Sequence, residues 1–314
     1  MTGVFLEKVS TRSSRPVAAG ELNPLGMEKQ MQSLAEELLH TTVRLEGCTA
    51  TGTSVGTGFF FMHDSRLFVV TNKHVVEGVT AGTFVVLNGQ EVDGKNLPLF
   101  GNGIAIPFSK ANFIGHPDPE VDVAAMNVSA VIDAIATAGS KLFWKNLSEK
   151  EFPTEEHFEK FIGPMEEVVF VGYPSGLWDH KNILPITRRG MTATPCYVDF
   201  NGTKTFLIDA SVFPGSSGSP VFIYYAGGHP DKQGNLYAGN RMHFMGIVAK
   251  VYQRLEQGEI RAVDIPTTQK YLAEINQMID LGIVYKAETI KECVEHYVRV
   301  ATGSSADTAP VLSA

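Results

Sequence analysis

Residues 208–222, IDASVFPGSSGSPVF, decide how this chain is read. An apolar run ends at Ile208, a second begins at Pro220, and between them lies a Gly/Ser turn from Pro214 to Ser219. Glycine gives a turn the backbone freedom it needs. Such a turn can aim consecutive N–H groups into one concavity. Gly215, Ser216 and Ser217 can do this around the Ser217 hydroxyl. A serine hydroxyl is a nucleophile only beside a base, and a base needs an orienting group. Two segments upstream supply those residue types. VVTNKHVV (69–76) places His74 directly after a β-rich run. HPDPEVDVAAM (116–126) opens an apolar strand with Asp122, an expensive place for a carboxylate without a partner.

Outward from these segments the chain is β-rich. Strands are expected at Thr42–Leu45, Gly56–Met62, Leu67–Thr71, Thr83–Leu87, Ala111–Gly115 and Val121–Val128. They resume at Val168–Val171, Thr205–Ile208, Pro220–Tyr225, His243–Tyr252 and Ile260–Ala262. Short strands at this spacing point to a barrel or sandwich, not to alternating β and α units. Residues 129–163 break the rhythm with helices at Ala130–Ala138 and Thr154–Phe161, the second capped by Thr154. Helical spacing also marks Met27–Leu39, the stretch after Pro266 (TTQKYLAEINQMI) and about Glu288–Val300. Residues 1–26 read as a flexible arm and 301–314 as a disordered tail.

The 314 residues, with 44% apolar and 19% charged, suffice for a sizeable core and exclude a mostly disordered chain. A net charge of −8 argues against gripping nucleic acid or anionic lipid. No apolar run is long enough for a spanning helix. The N-terminus lacks the apolar block of a secretory signal. Cys48, Cys196 and Cys293 are too few and too scattered for a disulfide framework. A cytoplasmic, reducing location is the expectation. No clustered His/Cys spacing supports a metal site, no phosphate-binding loop is present, and no cofactor is expected. The elbow G-x-S-x-G also fails, because Ser219 stands where its second glycine belongs.

The order His74, Asp122, Ser217 is that of the chymotrypsin-like class. Together with TNKHVV, VDVAAM, VGYPSG (171–176), the 208–222 string and MGIVAKV (245–251), it makes residues 40–268 resemble a trypsin-like serine peptidase. The likeness is to the disulfide-free bacterial type that includes the HtrA/Deg proteases. It implies an all-β core of two six-stranded antiparallel barrels, barrel one about 41–128 and barrel two about 164–265. An N-terminal helix, a helical inter-barrel insertion at 129–163 and C-terminal helices at 266–300 would complete a peptidase domain over 27–300. The resemblance makes Ser217 the nucleophile, His74 the general base and Asp122 its orienting carboxylate. Gly215 and Ser217 N–H would form the oxyanion hole. Ser211 would floor the specificity pocket, and Ala249, Lys250 and Val251 would form the strand that pairs with substrate. Ser216, Ser219, Asn72, Lys73 and Val75 depart from common family residues without removing a catalytic group.

A neutral Ser211 and a bulky Val251 imply cleavage after small or medium apolar residues. The expected activity is that of a serine endopeptidase acting on protein or peptide. The alternatives are a peptidase-fold binding or scaffold protein, or a latent protease switched on by a partner docking on the extra helices. The segment after the barrels is too short for an appended PDZ domain.

Overall fold

A computed structural model describes residues 33–260 and 271–303. The expected arm, most of the expected tail, residues 27–32 of the first helix and residues 261–270 lie outside the described residues. The first half carries β1 Thr42–Thr49, β2 Gly52–His63, β3 Arg66–Thr71, β4 Ala81–Val92, β5 Lys95–Phe108, β6 Ile114–Gly115, β7 Ala124–Asn127 and β8 Leu142–Phe143. The second half carries β9 Glu167–Gly172, β10 Ile186–Thr192, β11 Thr205–Asp209, β12 Pro220–Tyr225, β13 Gly228–Pro230, β14 Leu236–Ala238, β15 Arg241–Ile260 and β16 Tyr271–Lys286. Helices are few: α1 Leu34–Leu38, α2 Lys73–Val76, α3 Ser129–Thr137, α4 Glu155–Lys160 and α5 Ala287–Thr302.

The second half closes as a six-stranded barrel in the order β10-β11-β16-β15-β12-β9. The first half differs from the expected six-stranded barrel. It is an eight-stranded sheet in the order β5-β4-β1-β2-β3-β7-β6, with β8 paired to β4. Its end strands β5 and β6 do not pair with each other, because a 3-10 turn at Lys110–Asn112 separates them and β6 is only two residues long. The sheet still wraps one core: Val43, Phe60, Val69, Phe84, Ile106 and Met126 share a single apolar cluster.

The helix expected after Pro266 is also corrected. Tyr271–Lys286 is a strand, paired with β11 on one side and β15 on the other. Residues 282–285 lie between both partners and complete the barrel, while residues 271–278 pair with β15 alone, and this cross-strand pairing outweighs the helical spacing of their apolar residues. The helix at the chain's end begins directly after it, and its apolar face, Ile290, Cys293 and Val294, is fully buried. Thr154 accepts the His157 N–H and caps α4.

The two halves meet along an apolar seam. Phe59, Phe61, Phe68 and Val123 from the first half share one cluster with Val171, Phe222, Phe244 and Ile247 from the second. Phe59 and Phe244 meet edge to face at 5.4 Å. Asp122 sits between Val121 and Val123, both packed in this cluster.

Candidate active site

His74 sits on α2, the single turn that follows β3. Its Nδ1 lies 2.6 Å from Asp122 Oδ2, and its backbone N–H donates to Asp122 Oδ1 at 3.1 Å. One carboxylate therefore fixes both the ring and the backbone of the histidine. The His74 side chain is 49% exposed and that of Asp122 13%, so the imidazole faces solvent while the carboxylate is shielded. The residues before His74 tighten the arrangement. Asn72 Nδ2 donates to the Asp122 carbonyl at 2.6 Å, and Lys73 Nζ donates to the Asp118 carbonyl at 2.8 Å.

Ser217 stands on the turn between β11 and β12. Its hydroxyl donates to the Ala249 carbonyl at 3.5 Å. Among the described residues no hydrogen bond joins Ser217 to His74. The two are nevertheless carried on neighbouring backbone. Thr57 N–H donates to the Ser217 carbonyl at 2.9 Å, and Thr71, three residues before His74, donates its hydroxyl to the Thr57 carbonyl at 2.7 Å.

From Pro214 to Ser217 every carbonyl of the turn accepts a hydrogen bond. Pro214 O accepts from Ser175 N–H at 2.5 Å, Gly215 O from the Thr57 hydroxyl at 3.0 Å, and Ser216 O from Ser219 N–H at 3.0 Å. Ser217 O is held by Thr57 as above. On the donor side, Ser216 N–H reaches Phe213 O at 2.9 Å and Gly218 N–H reaches Val248 O at 2.8 Å. Only the N–H groups of Gly215 and Ser217 have no acceptor among the described residues. In a trans peptide the N–H points opposite its C=O. Ser175 and Ser219 thus hold the carbonyls of those two peptides and fix the direction of the free amides. Gly215 has φ +88, and a Cβ there would lie 2.5 Å from the Tyr173 carbonyl, so the position requires glycine.

The expected specificity residues lie on β15 and beside the turn. Ala249 is buried at a bulge in the β15–β16 ladder, Lys250 is exposed, and Val251 packs half-buried on the barrel core. Ser211 is half-buried. Sequence reading missed Thr57, Asn72, Lys73 and Ser175 as supports of the site. A glycine-flanked threonine, Gly56-Thr57-Gly58, was the available signal for the first.

No described group of His, Cys, Asp and Glu has metal-site geometry. All three cysteines are free. No helix among the described residues is long and apolar enough to cross a membrane.

The profile of the trypsin-like peptidase domain family matches residues 56–229. A comparison with curated proteins returned no match. Among solved structures, the HtrA-type protease AlgW with tripeptide is similar at 15% identity, covering 85% of this chain and 63% of that one, with TM-score 0.44. The serine endoprotease from Yersinia pestis is similar at 15% identity, over 85% of this chain and 66% of that one, with TM-score 0.45. The thermostable serine protease AL20 from an extremophilic microorganism matches at 14% identity, over 86% of this chain and 100% of that one, with TM-score 0.39. The chain thus spans about two thirds or less of the first two proteins' length.

Proposed function

The chain belongs to the trypsin-like peptidase domain family, and we propose that it is a serine endopeptidase working through an acyl-enzyme on Ser217. The observation that supports this reading most is the pair of free N–H groups, Gly215 and Ser217, on a turn whose carbonyls from Pro214 to Ser217 each accept a hydrogen bond. Two such donors are what a developing oxyanion requires.

The chemistry follows from the groups in place. His74 takes the Ser217 proton as the hydroxyl oxygen attacks the scissile carbonyl. The negative charge that forms on the carbonyl oxygen is stabilised by the two free amides. Asp122 keeps the Nδ1 proton facing itself and stabilises the imidazolium. His74 then delivers the proton to the leaving amine, the C–N bond breaks, and the acyl group stays on Ser217. Water repeats the sequence and frees the acid. For the first step the Ser217 hydroxyl must exchange the Ala249 carbonyl for His74 Nε2. Catalytic hydrogen bonds are often loose before substrate binds.

Substrate would add a strand beside Ala249–Val251. Ser211 and Val251 favour small or medium apolar side chains before the cut, and exclusive cleavage after Arg or Lys in a peptide library would reject that preference. The three free cysteines fit work in a reducing compartment.

A fluorophosphonate probe tests the mechanism. It should label the wild-type protein at Ser217 and leave Ser217→Ala unlabelled, and that variant should lose on the order of 10⁶ in turnover. A folded wild-type protein that binds peptide, takes no label and turns nothing over would favour a binding role. The Ser217–Ala249 bond is the one observation on that side.

A further inference from the structure

We propose that the Thr57 hydroxyl is a positioning group that holds the oxyanion-binding turn in its working shape; this rests on the peptidase reading above. Thr57 belongs to β2 of the first half and is fully buried. Its Oγ1 donates to the Gly215 carbonyl at 3.0 Å. The same oxygen accepts the Tyr173 N–H at 3.1 Å and the Ser219 hydroxyl at 3.4 Å. A hydroxyl has one proton to donate and two lone pairs. All three are used here, one on the 172–176 string and two on the 214–219 turn. Gly172 shows how tightly they converge: a Cβ at that position would lie 2.0 Å from Ser219 Oγ and 2.6 Å from Thr57 Oγ1.

The need for such a group comes from Gly215. This residue must be glycine, and glycine is the residue least able to hold its own peptide orientation. Rotation there would carry a carbonyl oxygen toward the place where the oxyanion forms, replacing attraction by repulsion. Two contacts oppose this rotation. Ser175 N–H holds the carbonyl before Gly215, and Thr57 Oγ1 holds the carbonyl of Gly215 itself. The first comes from the Tyr173–Gly176 turn, whose own start is anchored by Thr57 through Tyr173 N–H. Thr57 therefore secures the turn directly and secures its other support as well. Three glycine-bearing strings distant in sequence, 56–58, 172–176 and 214–219, meet at one hydroxyl.

The test compares wild type with Thr57→Val, which keeps the branched shape and removes the hydroxyl, and Thr57→Ser, which restores it. The readouts are kcat and KM on one peptide substrate, inhibition by a peptide aldehyde whose hemiacetal oxygen would occupy the hole, and melting temperature. We expect Thr57→Val to lose about 10- to 100-fold in kcat with KM within about twofold of wild type, and aldehyde inhibition to weaken in parallel. Thr57→Ser should recover most of kcat. Should Thr57→Val fail to fold, Thr57→Cys, a weak donor of similar size, is read by the same criteria. Unchanged kcat in the folded hydroxyl-free variant would overturn the assignment while leaving the peptidase reading intact. So would a Thr57→Ser protein as slow as Thr57→Val, since shape and not the hydroxyl would then matter. A wild-type protein that neither turns over peptide nor takes the fluorophosphonate overturns both.

Discussion

Lowering the pH from about 7.5 to about 5 should weaken the fold through histidines that are buried neutral. His40 is the clearest case. It is 7% exposed and packs edge-on against Phe143 at 5.0 Å. Burial first, then the nearby Lys145, pushes its imidazole from 6.5 down to about 4. In the unfolded chain the same ring titrates near its ordinary value. Between those two values the unfolded state binds the extra proton and the folded state does not. The contribution of His40 is therefore intact above about pH 6.5, shrinks as the pH falls, and changes no further below about pH 4. At about pH 5 the loss is RT times the logarithm of (1 + 10^1.5)/(1 + 10^−1), or roughly 2 kcal/mol. His243, pushed down to about 4 by burial and then by His157 and Arg241, acts in the same direction. Urea unfolding followed by tryptophan fluorescence at the two pH values measures the loss. His40→Phe removes the titrating ring from an aromatic site. It should reduce the pH-dependent loss by roughly 2 kcal/mol relative to wild type. An identical loss in the variant would refute the reasoning.

Asp122→Asn should keep the fold and lower kcat by about 10⁴-fold, because an amide no longer selects the Nδ1–H tautomer of His74 or stabilises its charged form; steady-state kinetics with a melting curve checks this. Phe244→Ala should cost about 3–5 kcal/mol, since this fully buried ring contacts Phe59 and Phe61 across the seam between the halves, and Phe152 and Phe222 beside it. Urea titration reads that loss, and activity should fall in step with the folded fraction. Native protein treated with iodoacetamide near pH 8 should gain one adduct, on exposed Cys48. Burial is the main force pushing the Cys196 thiol up to about 11 and the Cys293 thiol up to about 12, so adducts at those sites in intact protein would contradict the structure.

The parts of the fold that were legible in the sequence are the ones encoded locally. Gly56–Met62 and Leu67–Thr71 are β-branched and aromatic runs, and they form the centre of the first sheet. β5 was not legible, because Pro98, Gly101, Gly103 and Pro107 break its pattern. It tolerates two prolines because it is an edge strand, bonded to β4 alone among the strands of the sheet path. β16 was misread for a different reason. Its helical spacing is genuine, but residues 271–278 are laid along β15 and residues 281–285 also pair with β11, and the local pattern carries no sign of either partner. Asp122 was placed on a strand and instead lies just before β7, on the loop. At the candidate site, the three proposed side chains each sit in a distinctive string. Thr57 was not legible, since the bond that defines its role spans 158 residues.

Lys73 looks out of place in the sequence, a long cation directly before the histidine where small residues are usual. The structure gives it work. Its aliphatic stem lies against Gly115, where an added Cβ would come within 2.8 Å of Lys73 Cε, and its ammonium reaches the carbonyls of Asp118 and Pro119. Asn72, Lys73 and His74 thus grip the 118–122 loop at successive points, with Asp122 at the end of the row. From the far side, Tyr285 donates its hydroxyl to the Glu120 carbonyl at 2.7 Å. His116 Nε2 lies 3.0 Å from Glu292 Oε2 of α5, and Glu292 also pairs with Lys204. The loop is therefore held between the residues that precede the imidazole and the elements that close the second barrel. In the proposed triad, a carboxylate that aims a ring loses little by having few partners of its own, provided its backbone cannot move. Asp122 spends both oxygens on His74, and the surrounding lysine, asparagine and tyrosine hold the backbone that presents them.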